Sequence, residues 1–299
     1  MIIITKTQEL IDFCKKCSAY EYVTLDTEFL RERTYYSKLC LVQMAHPGNT
    51  EDSAVLIDPL SPDLSLDPLY ELFKNPNVVK VFHAARQDLE IFFIDKKIIP
   101  FPFFDTQVAA MVCGFGEQVG YEKLVRSICN EGLDKSSRFT DWSARPLSNK
   151  QMHYAIGDVT YLREIYEFLS NKIKDNKRQA WVEEELKILM DPETYIIDPK
   201  YAWRRVKTRS SSWKMLAAIA ELAMFREKYA QQKNIPRNRV YKDDCMMELA
   251  ATRPKSLEDL TKSRLLLRDA QKGQIAEGIL NSIKKADKYK SNDVERQPP

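Results

Sequence analysis

Two carboxylates stand two residues apart in Leu25-Asp26-Thr27-Glu28-Phe29, at the end of an apolar run. Strand side chains alternate, so Asp26 and Glu28 project from one face and form a pair at the edge of a core. Two anions held that close repel unless a cation lies between them, and a divalent metal is the simplest such cation. A strand end running into a loop also collects acids, so the pair alone leaves both readings open. Asp88 lies where the strand-like Val81-Phe-His feeds a helix, and an acid in a first helical turn also suits the helix dipole. Tyr154 and Asp158 are i and i+4 on a late helix, which sets a phenol beside a carboxylate on one face. Taken singly, each of these is more often structural than catalytic.

The elements that must position these residues follow from the surrounding pattern. Tyr22–Asp26, Leu39–Ala45, Val55–Asp58 and Val78–His83 read as strands, the second apolar enough to be buried on both faces. Leu69–Lys74, Gln87–Ile94, Thr106–Cys113 and Tyr121–Cys129 keep helical period, and a long helix runs from Ser148, its N-cap, to about Lys172. This is an α/β pattern with an antiparallel opening. The chain stays helical and charged to Met190, and Asp191-Pro192 and Asp198-Pro199 then break it. The boundaries expected are a first domain over 1–191, a linker over 192–208, an all-helical bundle over 209–285 and a charged, disordered tail over 286–299. In the bundle Leu216, Ile219, Ala220, Ala223 and Met224 recur at helical spacing.

Composition excludes several classes. Of 299 residues, 44% are hydrophobic and 30% charged, a globular profile. No window reaches about 18 uncharged apolar residues, so no membrane helix is expected. The start, Met1-Ile-Ile-Ile-Thr-Lys6, lacks a basic region followed by a long apolar stretch, so no signal peptide is expected. Cys14 and Cys17 form a C-x-x-C, but the other cysteines are scattered singly, which suits free thiols in the cytoplasm. No G-x-x-x-x-G-K-[ST] phosphate loop occurs, which disfavours a helicase. Charge is uneven: residues 201–299 carry 22 Lys and Arg against 12 Asp and Glu, while the rest carry 24 against 31. A basic back half suits contact with a polyanion, although a solvated basic surface is the common alternative.

Taken together, the order D-x-E, then an acid at a helix start, then Y-x-x-x-D resembles the DEDD exonucleases of the DnaQ-like, ribonuclease H-fold superfamily, in their tyrosine-bearing subgroup. Leu25–Tyr36, Phe82–Glu90, Phe104–Gln107, Val119–Val125, Asp134–Leu147 and Tyr154–Leu162 sharpen the likeness to the ribonuclease D family over nearly all of residues 1–190. The bundle resembles the HRDC domain through Pro236–Asp244 and Glu248-Leu-Ala250. Similar proteins often carry two such modules, and one is found here.

The resemblance implies a mixed-sheet exonuclease domain followed by an HRDC-like bundle. The implied activity is a 3′→5′ exoribonuclease that releases nucleoside 5′-monophosphates. Its substrate would be RNA with a free 3′ end, with transfer-RNA precursors expected; no protein partner is implied. Asp26, Glu28, Asp88 and Asp158 would hold two divalent ions, Mg²⁺ or Mn²⁺, whose charges four carboxylates offset. Tyr154 would aim the attacking water. Thr27, Phe29, His83, Trp142 and Arg145 are the candidates to hold the 3′ end, Phe29 by stacking on a base. Asp105 and Asp141 read as caps or buried hydrogen-bond partners. Lys214, Arg226, Arg237, Arg239 and Lys242 are candidate phosphate contacts in the bundle. Two competing readings stay open: a DNA 3′→5′ exonuclease, and a nucleic-acid-binding protein without catalysis.

Overall fold

The computed structural model describes residues 1–134 and 136–293. Its strands are β1 (Ile2–Ile4), β2 (Tyr22–Leu30), β3 (Lys38–Ala45), β4 (Ala54–Ile57), β5 (Val79–Phe82) and β6 (Phe103–Asp105). They form one sheet in the order β1-β4-β3-β2-β5-β6. β3 runs antiparallel to both neighbours, and the other pairs are parallel. The four strands legible in the sequence are the four inner ones. The two edge strands have three residues each, too few to display a period.

Seven helices belong with the sheet among the described residues: α1 (Thr7–Cys17), α2 (Asp67–Lys74), α3 (Arg86–Lys96), α4 (Thr106–Val112), α5 (Tyr121–Leu124), α6 (Asn149–Asp175) and α7 (Gln179–Met190). Val23 and Leu25 of β2 and Val42 and Met44 of β3 bury one sheet face against Leu10, Phe13, Phe73, Leu89 and Phe92 of α1, α2 and α3. The alternate residues of β2 therefore face the other way, under α6. There Tyr22 meets Leu162, and the Thr24 hydroxyl donates to the Val159 carbonyl at 2.8 Å. α6 begins at Ser148 as expected. The Ser148 hydroxyl accepts from the Gln151 amide, and the Gln151 side chain accepts from the Ser148 amide, so two otherwise unpaired donors are met.

The chain separates into two compact units. The second comprises residues 196–299 together with Arg31–Tyr36, the connection between β2 and β3. Its helices are α8 (Trp213–Lys233), α9 (Arg237–Val240), α10 (Asp243–Thr252), α11 (Leu257–Thr261) and α12 (Gly273–Ala286). Ile219, Leu222, Val240, Met246, Leu249, Ile279 and Ile283 form its core. At Gly278 a Cβ would lie 2.0 Å from the Phe225 ring, so only glycine permits this approach.

The structure corrects three boundaries. The unit boundary falls after Tyr195, and the expected linker over 192–208 is folded. Pro199–Arg205 is a 3-10 helix, and Ala202, Trp203 and Val206 are buried in the second unit's core. Pro192 and Pro199 each start a 3-10 helix, where a missing amide costs no hydrogen bond, and the segment is apolar enough to pack. Nor does the bundle stop at 285: Asp287 pairs with Arg253 at 2.5 Å, and the Tyr289 hydroxyl donates to Glu221 at 2.7 Å. The remainder of the expected tail, 294–299, lies outside the described residues.

Candidate active site

Strand alternation and helix period bring three acids together. Asp26 and Glu28 on β2 and Asp158 on α6 present carboxylate oxygens that all lie within 4.8 Å of one another. Tyr154, one turn earlier on α6, directs its hydroxyl at Asp158 and favours that residue's charged form. The Trp142 ring lies against Tyr154, with centroids 6.0 Å apart.

Asp88 is not in that tight group. It is buried in the first turn of α3, and its carboxylate accepts from the Thr27 hydroxyl. Its charge nevertheless bears on both Asp26 and Glu28. The turn that launches α3 is itself held. Ala84 has φ 56°, a left-handed conformation that costs a residue with a Cβ roughly 1–2 kcal/mol. Asp105 accepts from the amides of Ala84 at 3.0 Å, Ala85 at 2.8 Å and Gln107 at 2.8 Å. One carboxylate thus holds the strained turn before α3 and caps α4. Asp141 accepts from the amide and hydroxyl of Ser143.

Burial sets the electrostatics of the cluster. Burial, then the neighbouring Asp158, Asp88 and Glu28, hold Asp26 well above the usual carboxylate range. Burial, then Asp158 and Asp88, push Glu28 up to about 9. Burial raises Asp88 to about 7 against the opposing Thr27 hydrogen bond, and Asp158 to about 7 against Tyr154 and Arg138. Burial and the three clustered acids push the Tyr154 phenol far up. A cation brought among such carboxyls favours their charged forms. The donor set is oxygen only, which suits Mg²⁺ or Mn²⁺ better than Zn²⁺ or copper.

Arg138, in the loop before α6, is a residue the sequence reading misses. Its exposed guanidinium opposes the raised Glu28, Asp158 and Tyr154. One arginine in Ser-Ser-Arg-Phe carries no periodic signal, so only its placement marks it.

The expected substrate contacts fare differently from the acids. Phe29 is half-buried beside Glu28, at the point where the β2–β3 register shifts. Thr27 gives its hydroxyl to Asp88 and so acts as a holder of that acid. His83 lies 3.0 Å from the Thr106 hydroxyl with its ring against Tyr121, and burial lowers its pKa. Trp142 is 2% exposed, in a core with Cys40, Leu41, Leu56 and Leu147, and cannot cover a strand.

Arg145 commits all five of its N–H donors. They go to both Asp58 oxygens, at 2.6 and 2.7 Å, and to the carbonyls of Trp142, Ala144 and Cys40. Cys40 is the residue that the register shift leaves without a partner in β2, so Arg145 ties down the strand beside Glu28. Thr27, His83, Trp142 and Arg145, expected at the 3′ end, are thus each engaged within the protein. Long-range partners engage them, and sequence spacing does not reveal such partners.

In the second unit Arg226 and Arg237 are likewise engaged within the protein. Arg226 is 5% exposed and bonds Asp243 at 2.7 Å and the Tyr241 carbonyl at 3.1 Å. Arg237 grips both oxygens of the buried Glu227, at 2.5 and 2.7 Å. Lys214, Arg239 and Lys242 are exposed.

Comparison with known proteins fits this geometry. The family model described as 3′-5′ exonuclease matches residues 1–174, and that of the HRDC domain matches residues 215–283. Ribonuclease D of Jannaschia sp. (strain CCS1) is 62% identical over 280 residues, covering 94% of this chain and 72% of that protein. Ribonuclease D of Bartonella henselae is 43% identical over 283 residues, covering 95% and 69%. The crystal structure of Escherichia coli RNase D, an exoribonuclease involved in structured RNA processing, superposes with a TM-score of 0.86 at 29% identity, covering 99% of this chain and 77% of that one.

Proposed function

The chain belongs to the ribonuclease D family of 3′-5′ exonucleases, and from that footing we propose that Asp26, Glu28, Asp88 and Asp158 hold two divalent ions, Mg²⁺ or Mn²⁺, at the 3′-terminal phosphodiester of an RNA. The observation that carries this reading is the group of three half-buried carboxylates within 4.8 Å, with a fourth acid's charge acting on it. Bound there, the ions would stabilise the negative charge that builds on the attacking and leaving oxygens and would lower the pKa of the attacking water.

Tyr154 keeps its own proton, because burial and the surrounding acids hold the phenol far above neutral pH. Its work is therefore orientation: it is anchored toward Asp158 and backed by Trp142, and it aims the water in line with the leaving 3′ oxygen. Thr27 and Asp105 fix Asp88 and the start of its helix. Phe29 stacks on the terminal base, and Arg138 meets a phosphate. Lys214, Arg239 and Lys242 give the helical unit phosphate contacts with the body of the RNA. The substrates proposed are transfer-RNA precursors and other stable RNAs with a free 3′ end, in the cytoplasm. Among the described residues no helix is long and apolar enough to cross a membrane.

The test is a 5′-labelled single-stranded RNA incubated with the protein in Mg²⁺, in Mn²⁺ and in EDTA, beside the matched DNA. A ladder shortening from the 3′ end of RNA in metal and absent in EDTA is expected. Equal or faster shortening of DNA would move the assignment to a DNA exonuclease. Retained binding without shortening in either metal would move it to a binding protein.

A further inference from the structure

Gln43 is the side chain the proposed mechanism leaves unused. It sits in the middle of β3 directly opposite Asp26 on β2, and opposite Leu56 on β4. Directly opposed residues of an antiparallel pair point to the same sheet face, with Cβ atoms roughly 4.5–5.5 Å apart. Gln43 therefore shares with Asp26 the face that α6 covers. Its residue is 0% exposed, and neither Nε2 nor Oε1 has a hydrogen-bond partner. Leu41, Ala45 and Leu56 flank it on this face, beneath Ala155 and Val159 of α6.

An amide buried with both ends unpaired works against folding. A methionine fills nearly the same volume without that cost. The polar neighbour given by the strand register is Asp26. The register therefore places an unpartnered amide opposite a carboxylate on which the charges of Asp158, Asp88 and Glu28 bear.

We propose that Gln43 is a positioning residue for Asp26: its Nε2 donates to the Asp26 carboxylate when a divalent cation is bound there, and so fixes which oxygen faces the cation. A hydrogen bond from a neighbouring side chain orients a metal ligand. The inference rests on reading Asp26 as a metal ligand. It explains why a polar residue stands where packing alone calls for an apolar one.

The experiment compares wild type, Gln43→Met, Gln43→Leu and Asp26→Asn as full-length proteins. It measures Mn²⁺ binding by the electron paramagnetic resonance of the free ion, and Tm in EDTA and in Mn²⁺. It also measures kcat and KM on single-stranded RNA across a Mn²⁺ titration. Gln43→Met is expected to melt no lower than wild type in EDTA, yet to bind Mn²⁺ about 10-fold more weakly, the scale of partners that orient a metal ligand. Its kcat should fall with KM for RNA unchanged and recover at high Mn²⁺. Gln43→Leu should repeat the pattern if shape at the site matters little.

Mn²⁺ affinity within about twofold of wild type in both Gln43 variants, with Asp26→Asn losing binding, would overturn the proposal and leave Gln43 a packing residue. A lower Tm in EDTA with unchanged Mn²⁺ affinity would do the same. If Asp26→Asn itself keeps wild-type Mn²⁺ binding, the reading of Asp26 as a ligand fails first, and the role of Gln43 fails with it.

Discussion

Glu28 and Glu227 are both drawn out of water, one in each unit, and their surroundings move them in opposite directions. Glu28 has Asp158 and Asp88 for neighbours, and burial with these like charges pushes it up to about 9. Burial also pushes Glu227 up, but Arg237 on both its oxygens and the Tyr35 hydroxyl outweigh it and hold the carboxyl below its ordinary range. The same contrast holds for whole neighbourhoods. Around Glu28 acids gather against acids, although elsewhere in the sheet unit Arg145 pairs with Asp58. In the helical unit, Arg226 meets Asp243 and Arg253 meets Asp287. Opposite charges complete one another and build a frame. Like charges gathered in this way call for a cation from outside, which supports the proposed metal site.

This contrast can be broken most severely at the acids. Asp26→Asn or Asp158→Asn should reduce RNA shortening to the no-enzyme level in excess Mg²⁺ while the protein still melts cooperatively; measurable wild-type turnover in either would remove that residue from the metal set. Tyr154→Phe should cut kcat by about 10²-fold with RNA affinity nearly intact, the usual scale for losing one group that handles the reacting water. Single-turnover rates alongside filter binding separate the two quantities.

On the helical side, Gly278→Ala forces a methyl into the Phe225 ring and should destabilise that unit by about 1–3 kcal/mol. Circular dichroism melts would read the loss, while cleavage of a short RNA at low temperature should be retained. Neutralising Lys214, Arg239 or Lys242 should have the mildest effect. RNA affinity falls, and the slope of log affinity against log salt shrinks by about 1 for each phosphate that is no longer neutralised. An unchanged slope would mean that the residue is merely solvated.

The pH dependence sharpens the comparison further. For the clustered acids the folded pKa lies above the unfolded one, so the metal-free folded state binds more protons than the unfolded state. Their contribution is therefore favourable below about pH 4 and is lost as pH rises through about 7, for Asp88 and Asp158, and about 9, for Glu28. Tm in EDTA should fall between about pH 5 and about pH 9, and Mg²⁺ should remove most of that fall. Glu227 runs the other way. Its folded pKa is lowered, so its contribution is present above the usual glutamate range and is lost as pH drops below it. A Tm that rises with pH in EDTA would show that the acids are not held as described.

The sequence by itself determined which acids share a face. Two carboxylates two apart on an apolar strand share a face, and Tyr154 and Asp158 four apart on a helix share another, because strand and helix periods are local properties of the backbone. The four inner strands, the Ser148 cap and the role of Asp105 as a cap were legible for the same reason. Only the tertiary structure decided which polar residues were free to work. Arg145 meets Asp58 from 87 positions away, and Thr27 meets Asp88 from 61. Arg237 and Glu227 are 10 apart, beyond the reach of one helical turn. Gln43 looks like any strand glutamine until the register sets it opposite Asp26. Hydrogen bonds and ion pairs between distant segments leave no period in the sequence, so their partners emerge only when the sheet and its helices close on one another.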